Sequence, residues 1–288
     1  MTDLVKRLVP DELWVLFRRV VPPTVVIRPQ GGGRRRAGDR EALAAIIFVA
    51  ASGCTWRQLP PVFGPAWPTV YRRFAQWSRD RVWARLYRVI LDELGARGEL
   101  DWSRCAIDSV SLRAAKGPLT GPNPTDRGKL GSKIHLITDR NGLPLSLGIS
   151  GANMHDSLGL EPLVRAIPPI RSRRGPRRRR PAKLHADKGY DYDHLRRWLR
   201  QRRIRHRIAR KGVESSQRLG RHRWVVERTV SWLAGCRRLH RRYERKAEHF
   251  LAFVGIAATL IGYRRLTPLL MARVVAAPGH HHCVRIED

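Results

Sequence analysis

The chain has 288 residues, with 57 lysines and arginines against 24 aspartates and glutamates, a formal charge of +33 and a pI near 11.6. Hydrophobic residues make up 42%, enough for a proper core, which excludes a disordered basic protein and leaves room for one catalytic domain and a smaller module. Basic residues run through the whole chain rather than one tail or helix, so the expected polyanion is nucleic acid and not an anionic membrane.

The first stretch, to about Leu94, reads as helical. Asp11 is placed to cap a helix carrying Leu13, Trp14, Leu16, Phe17 and Val20, and a Gly/Arg-rich linker (30–38) follows. Asp39 then caps a second helix with Leu43, Ile46, Ile47 and Ala50 inward, and Gly53 ends it. After a Pro-rich turn, Thr69 opens a short helix with Val70, Phe74 and Trp77 on one face and Arg72, Arg73 and Gln76 on the other. This is the outline of a helix-turn-helix, with Arg72 and Arg73 as candidate DNA contacts; a small bundle with a solvated basic face fits equally.

From Arg104 the pattern changes. Cys105–Leu112 reads as a strand, and Ser132–Thr138 and Pro144–Ser150 flank Asp139-Arg140-Asn141-Gly142 as a hairpin. Asp156 should cap a helix to about Ile167, followed by a strand over 182–186, a helix through Leu195 and Trp198, and a strand over 204–208. Long helices from about Arg221 and Glu248 close the domain. An opening strand with a hairpin, then alternating helices and strands, predicts a mixed α/β sheet covered by helices. The domains expected are 1–95 (helical, DNA-binding), 100–268 (catalytic, with a basic loop over 171–181) and 269–288 (a tail). The arginine run 171–180, too repulsive to fold alone, is expected to contact the DNA backbone.

Cys54, Cys105, Cys236 and Cys283 lie far apart and form no CxxC pair, so they read as thiols of a reducing compartment. His280-His281-His282-Cys283 has no second ligand pair and reads as a tail. The N-terminus shows no secretory signal, and the apolar runs 42–52 and 250–263 fall short of the roughly 18 residues a spanning helix needs.

Three acids stand in telling contexts. Asp108 interrupts the apolar strand Cys105-Ala106-Ile107-Asp108-Ser109-Val110, where a carboxylate is costly unless paired, at an edge or on a cation. Asp187 follows a strand and precedes Lys188-Gly189-Tyr190-Asp191; strand ends are where open sheets gather ligands. Asp191 or Asp193 is better placed than Asp187 to cap the next helix. Glu227 has Arg223 one turn earlier on the same helix face. Converging carboxylates repel and tolerate joint ionisation only with a cation, and all-oxygen ligands select Mg²⁺ or Mn²⁺. Such a cluster in a basic protein suits phosphodiester chemistry.

At these residues the chain resembles the DDE transposases of bacterial insertion sequences, in the group that includes insertion sequences four and five. Ile107-Asp108-Ser109 is similar to the family's first catalytic strand, and Lys133-Ile134-His135-Leu136 and Asn153-Met154-His155-Asp156-Ser157 to its hairpin and the motif after it. Ala186-Asp187-Lys188-Gly189-Tyr190-Asp191 is similar to the second-Asp motif, and Arg223-Trp224-Val225-Val226-Glu227-Arg228-Thr229 to the Glu helix. The resemblance covers about Leu8 to Leu266. It implies a ribonuclease-H-like fold with Asp108 on the first strand, Asp187 after the fourth and Glu227 on a helix. Those three would hold Mg²⁺, with Mn²⁺ as substitute. Lys133, Lys188, Tyr190, Arg223 and Arg228 would meet the DNA. The family's Tyr before the Arg and cation after the Glu are replaced by Gly220 and Ala234, and Arg237 and Arg238 are the candidates to supply the lost cation.

The implied function is excision and integration of a mobile element through its terminal inverted repeats. The chain would be a homodimer on DNA, in a bacterial cytoplasm and associated with the nucleoid. The rival readings are a non-catalytic DNA-binding protein of the same fold and a nuclease that cuts without joining.

Overall fold

Helices fill the first third of the chain because apolar residues there recur at three- and four-residue spacing. The computed structural model describes residues 3–23, 36–213 and 216–276, and of 216–223 and 269–276 only the backbone. Most of the 30–38 linker, the side chain of Arg223 and the His280–Cys283 run lie outside the described residues. Helices α1 (Asp3–Leu8) and α2 (Asp11–Arg18) precede α3 (Asp39–Ser52), which buries an unbroken run from Ala42 to Ile47 together with Val49 and Ala50, making it the hub of the helical region. Gly53 ends α3 in the left-handed region at φ 73°, with its N–H on Val49 O. Two 3-10 turns lead to α4 (Trp67–Arg79) and then α5 (Val82–Arg97). The segment joining α3 to α4 spans 53–66, longer than the roughly three- to four-residue turn of a helix-turn-helix.

The capping carboxylates differ from expectation. Pro10 and Gly38 are the N-caps of α2 and α3; Asp11 and Asp39 sit in the first turns. Asp11 pairs with Arg40 at 2.7 Å, and Asp39 with Arg36 and Arg73. Long-range arginines therefore take the acids that local rules assign to capping.

The second region is a mixed sheet. Its strands are β1 (Cys105–Ala114), β2 (Gly121–Pro122), β3 (Leu130–Asp139), β4 (Pro144–Gly151), β5 (Lys183–Ala186), β6 (Arg205–Ile208) and β7 (Arg241–Arg242). The main order is β4-β3-β1-β5-β6, with β3 antiparallel to β1 and β4, and β5 parallel to β1 and β6. β3 is buried beyond its first residue, as a central strand should be. Helix α6 (Leu160–Ala166) and α7 (Asp193–Gln201) connect the strands; α8 (Ser216–Ala234) and α9 (Ala247–Ala276) close the chain. This is the mixed sheet flanked by helices, with a helical N-terminal region, that the sequence predicts.

One continuous core joins the two regions, because α9 returns to pack on α5. Gly262 makes that approach possible: a Cβ there would lie 2.7 Å from Ile90 Cγ2. Phe74 stacks on Phe253 at 4.7 Å, tying α4 to α9; such a pair adds about 1 kcal/mol beyond area burial. α9 outruns the apolar run 250–263, and Ala247–Pro268 is long and apolar enough to cross a membrane. That segment's most apolar window is 67% buried against the rest of the protein, as suits a core helix.

Candidate active site

The parallel pairing of β1 and β5 decides where the acids fall. Cys105 pairs with Leu184 and Ala106 with His185, so continuing the register by two residues sets Asp108 opposite Asp187. Neighbouring strands are about 4.8 Å apart, and residues directly opposite point to one face. Asp108, the fourth residue of β1, and Asp187, the residue just past the C-terminal end of β5, thus fall side by side on the face that carries Ala106 and His185. Both are partly buried.

Local bonds orient each one. Asp108 Oδ1 accepts the Ser109 N–H at 2.8 Å. Asp187 Oδ1 accepts the Gly189 N–H at 2.9 Å, capping the 3-10 turn 188–190. Gly189 keeps room for that carboxylate, since a Cβ there would lie 3.0 Å from Asp187 Oδ1. The loop is held from behind by Asp191, which accepts from Arg196 and from the Lys211 N–H at 2.8 Å. Tyr192, not Asp191 or Asp193, is the N-cap of α7.

Glu227 arrives on α8, which packs on β1, β3 and β5. Val225 closes a small cavity with Ala106 and His185, so α8 covers the face that Asp108 and Asp187 occupy. Val226 is fully buried and Glu227, the next residue, is exposed. Thr229 Oγ1 and Arg228 Nη2 bond the Gly142 and Asn141 carbonyls, each at 2.7 Å, and seat the helix on the β3–β4 turn. Among the described residues, no three His, Cys, Asp or Glu side chains already form a cage for an ion. Two carboxylates in register and a third on the covering helix are still an all-oxygen donor set suited to a hard divalent cation.

Several cations expected on DNA lie elsewhere. Arg73 is buried, paired with Asp39 and set 5.7 Å over the Trp77 ring, so only Arg72 of that pair faces solvent. Lys133 is buried and gives Nζ to Asp156 at 2.8 Å and to Met154 O at 2.7 Å. Tyr190 is 1% exposed. Arg238 is buried, bonded to Glu244 at 2.8 Å and to Cys54 O at 3.0 Å. In each case a buried site, with an acid partner for the cations, removes the side chain from the surface that DNA could reach. Lys188 is partly exposed and Arg237 exposed.

Asp156, expected as a helix cap, has another role. His155 caps the 3-10 turn 156–159, and the Asp156 carboxylate accepts from Ser109 Oγ and Lys133 Nζ. Trp224 and Trp232 are also exposed on α8, where sequence alone assigns a tryptophan to the core. Their spacing with Arg228, four residues each way, was the available signal.

Comparison with known proteins fits this arrangement. Residues 102–261 match the model for the transposase DDE domain, and residues 9–87 match that for a transposase of IS4/5 family. The chain belongs to the DDE transposases of the IS4/5 family. It is 49% identical to a transposase for insertion sequence element IS402 of Burkholderia cepacia, over 79% of this chain and 95% of that one. It is 26% identical to the transposase for insertion sequence element IS1106 of Neisseria meningitidis serogroup B, over 45% and 43%. A looser likeness in outline, at TM-score 0.46 and 10% identity, links it to the piggyBac transposase in a synaptic complex with hairpin DNA, over 96% and 82%. This DDE transposase is a DNA-cleaving enzyme with its family domain on the sheet region.

Proposed function

We propose that Asp108, Asp187 and Glu227 hold the divalent cation with which this transposase cuts the ends of its element and joins them to target DNA. The register that places Asp108 opposite Asp187 carries the reading. A bound Mg²⁺ or Mn²⁺ would activate a water or 3′-hydroxyl and stabilise the leaving oxygen of an in-line displacement. The protein's own part is to orient the carboxylates, through the Ser109 and Gly189 N–H bonds, and to hold the DNA backbone. Arg72, Lys188, Arg228 and Arg237 are the cations that support DNA contact, together with the exposed arginines of 171–180. Because an element has two ends, a pair of chains on the terminal inverted repeats is the working unit.

The test is cleavage of an element-end duplex with Mg²⁺, Mn²⁺, Ca²⁺ or excess chelator. Cleavage should appear with the first two only. Asp108→Asn, Asp187→Asn and Glu227→Gln should each lower it by about two orders of magnitude or more, with DNA binding retained. Cleavage in excess chelator would overturn the reading. Precut ends that fail to join a target would reduce the protein to a nuclease.

A further inference from the structure

Parallel strands give the sheet two unlike ends. β1, β5 and β6 run the same way, so Asp187 lies just past one end of β5 while Ala182 and Ile204 lead into β5 and β6 at the other. The four residues of β5 hold those ends roughly 13 Å apart. At the end away from the acids, the arginine loop faces the turn between α7 and β6 across a cavity of about 700 Å³. Six arginines line it, four from the loop (177–180) and Arg202 and Arg203 from the turn, and no lining residue is acidic. Arg177 shares its charge with Asp92 at 2.8 Å; among the described residues no acid pairs with the other five.

Several of these guanidiniums are already held in place. Arg202 lies 4.3 Å over the Trp198 ring and Arg178 5.6 Å over Trp102, while Arg179 gives Nη2 to Arg165 O at 2.8 Å. Side chains fixed in this way lose little freedom when an anion arrives. Like charges gathered in one hollow repel, and an anion seated among them removes the cost.

The shape selects the anion. The cavity is within the usual size of a site for a small ligand. A duplex presents its phosphates on a convex surface with a sugar between each pair, so few of them can enter. Phosphates joined directly to one another bring several charges into the same space. We propose that the cavity between the 177–180 loop and Arg202–Arg203 binds a compact polyphosphate, either free or carried by a nucleoside. Arg180 also belongs to the set that supports DNA contact, so the bound anion would loosen the loop's hold on duplex without reaching the acids.

The experiment is calorimetric titration of the full chain at fixed salt, without divalent ions. The probes are inorganic tripolyphosphate, orthophosphate, ATP and adenosine. Tripolyphosphate should bind once per chain and at least about tenfold more tightly than orthophosphate, the scale of one further charged hydrogen bond. Adenosine should not bind. ATP matching tripolyphosphate would name the bare phosphate chain as the feature recognised, and ATP binding tighter would name a nucleotide; both support the site.

Arg202→Gln with Arg203→Asn should weaken tripolyphosphate by about tenfold or more. Asparagine suits position 203 because it tolerates the left-handed φ of 56° there. Arg57→Ala with Arg85→Ala, which removes two exposed arginines elsewhere, should change the affinity less than about twofold. Should the first variant fail to fold, arginine-selective labelling of the unmodified protein decides: tripolyphosphate should protect 177–180, Arg202 and Arg203 ahead of other arginines. Equal losses in the two double variants, or protection spread evenly over the surface, would overturn the proposal. Protection of these six by a blunt duplex and not by tripolyphosphate would also overturn it, and would give the cavity to DNA.

Discussion

Ser109 donates its hydroxyl to the Asp156 carboxylate at 2.7 Å, while its backbone N–H donates to Asp108 at 2.8 Å. The strand position next to a proposed metal ligand is thereby tied, on the opposite face of the sheet, to an acid that also neutralises the buried Lys133. A carboxylate that must meet a cation gains from such a tether because a small displacement of its strand spoils in-line geometry.

Asp156→Asn should therefore weaken both the fold and the reaction. Burial pushes the Asp156 carboxyl up, but the hydrogen bonds from Lys133 and Ser109 outweigh it and hold the group below the usual carboxylate range. A lowered folded value means its stabilisation is present above about pH 4 and is lost as pH falls through the folded value. The variant should lose about 2 kcal/mol in urea titrations at pH 7, with the deficit shrinking toward pH 3. Cleavage should slow while DNA affinity holds. A loss below about 0.5 kcal/mol at pH 7 would mean the tether is slack.

Asp139 supplies a pH dependence of opposite sign. Burial raises its carboxyl to about 6, against the N–H bonds it accepts from Asp101, Leu143 and Asn141. A raised folded value favours the fold below about pH 4, and the advantage is lost as pH climbs through about 6. Urea midpoints should fall over that window. In Asp139→Asn the fall should vanish, because the amide does not titrate. The variant should also be weaker by about 1–3 kcal/mol at pH 5, since its NH₂ faces the Asp101 N–H. A midpoint that ignores pH in the parent, or a slope that persists in the variant, contradicts the assignment.

The arginine loop divides into two groups. All of its arginines are exposed, but Arg177 holds Asp92 and Pro169 O and Arg179 holds Arg165 O, which leaves Arg173, Arg174 and Arg180 as the candidates for backbone contact. Arg173→Ser, Arg174→Ser and Arg180→Ser together should flatten the log–log salt dependence of duplex binding by up to about 0.9 per residue. Melting temperature and preference for element ends should survive, because phosphate contacts position without specifying. An unchanged slope returns the loop to solvent.

Strands and turns were legible because their signals are local. Alternation and the Asp-Arg-Asn-Gly turn located β3 and β4, and Gly53 marked the end of α3. The three acids proposed as metal ligands stand out in sequence by their neighbours alone: a charge inside an apolar strand, a carboxylate at a strand end, a Glu one turn after an Arg. What escaped depends on partners far along the chain. Asp39 meets Arg73 34 residues away and Asp156 meets Lys133 23 residues away, so two expected caps became ion pairs. Arg73, Lys133 and Arg238 read as surface cations because an isolated cation prefers water; only the fold reveals the acid that buries each one. Trp224 and Trp232 were hidden for the converse reason, since a tryptophan in sequence suggests core.

The most direct measurement of the central claim is the magnesium-induced shift in melting temperature, in the parent and in Asp187→Asn. An asparagine can still accept the Gly189 N–H, so the turn it caps should survive the change. Removing one of two carboxylates in register relieves repulsion when metal is absent. The metal-free variant should accordingly melt at the parent's temperature or slightly above. Magnesium should stabilise the parent by mass action, by about 2.7 kcal/mol at a hundredfold excess over Kd, and clearly less in the variant. A variant that melts below the parent without metal, yet shows an undiminished magnesium shift, would remove Asp187 from the metal site.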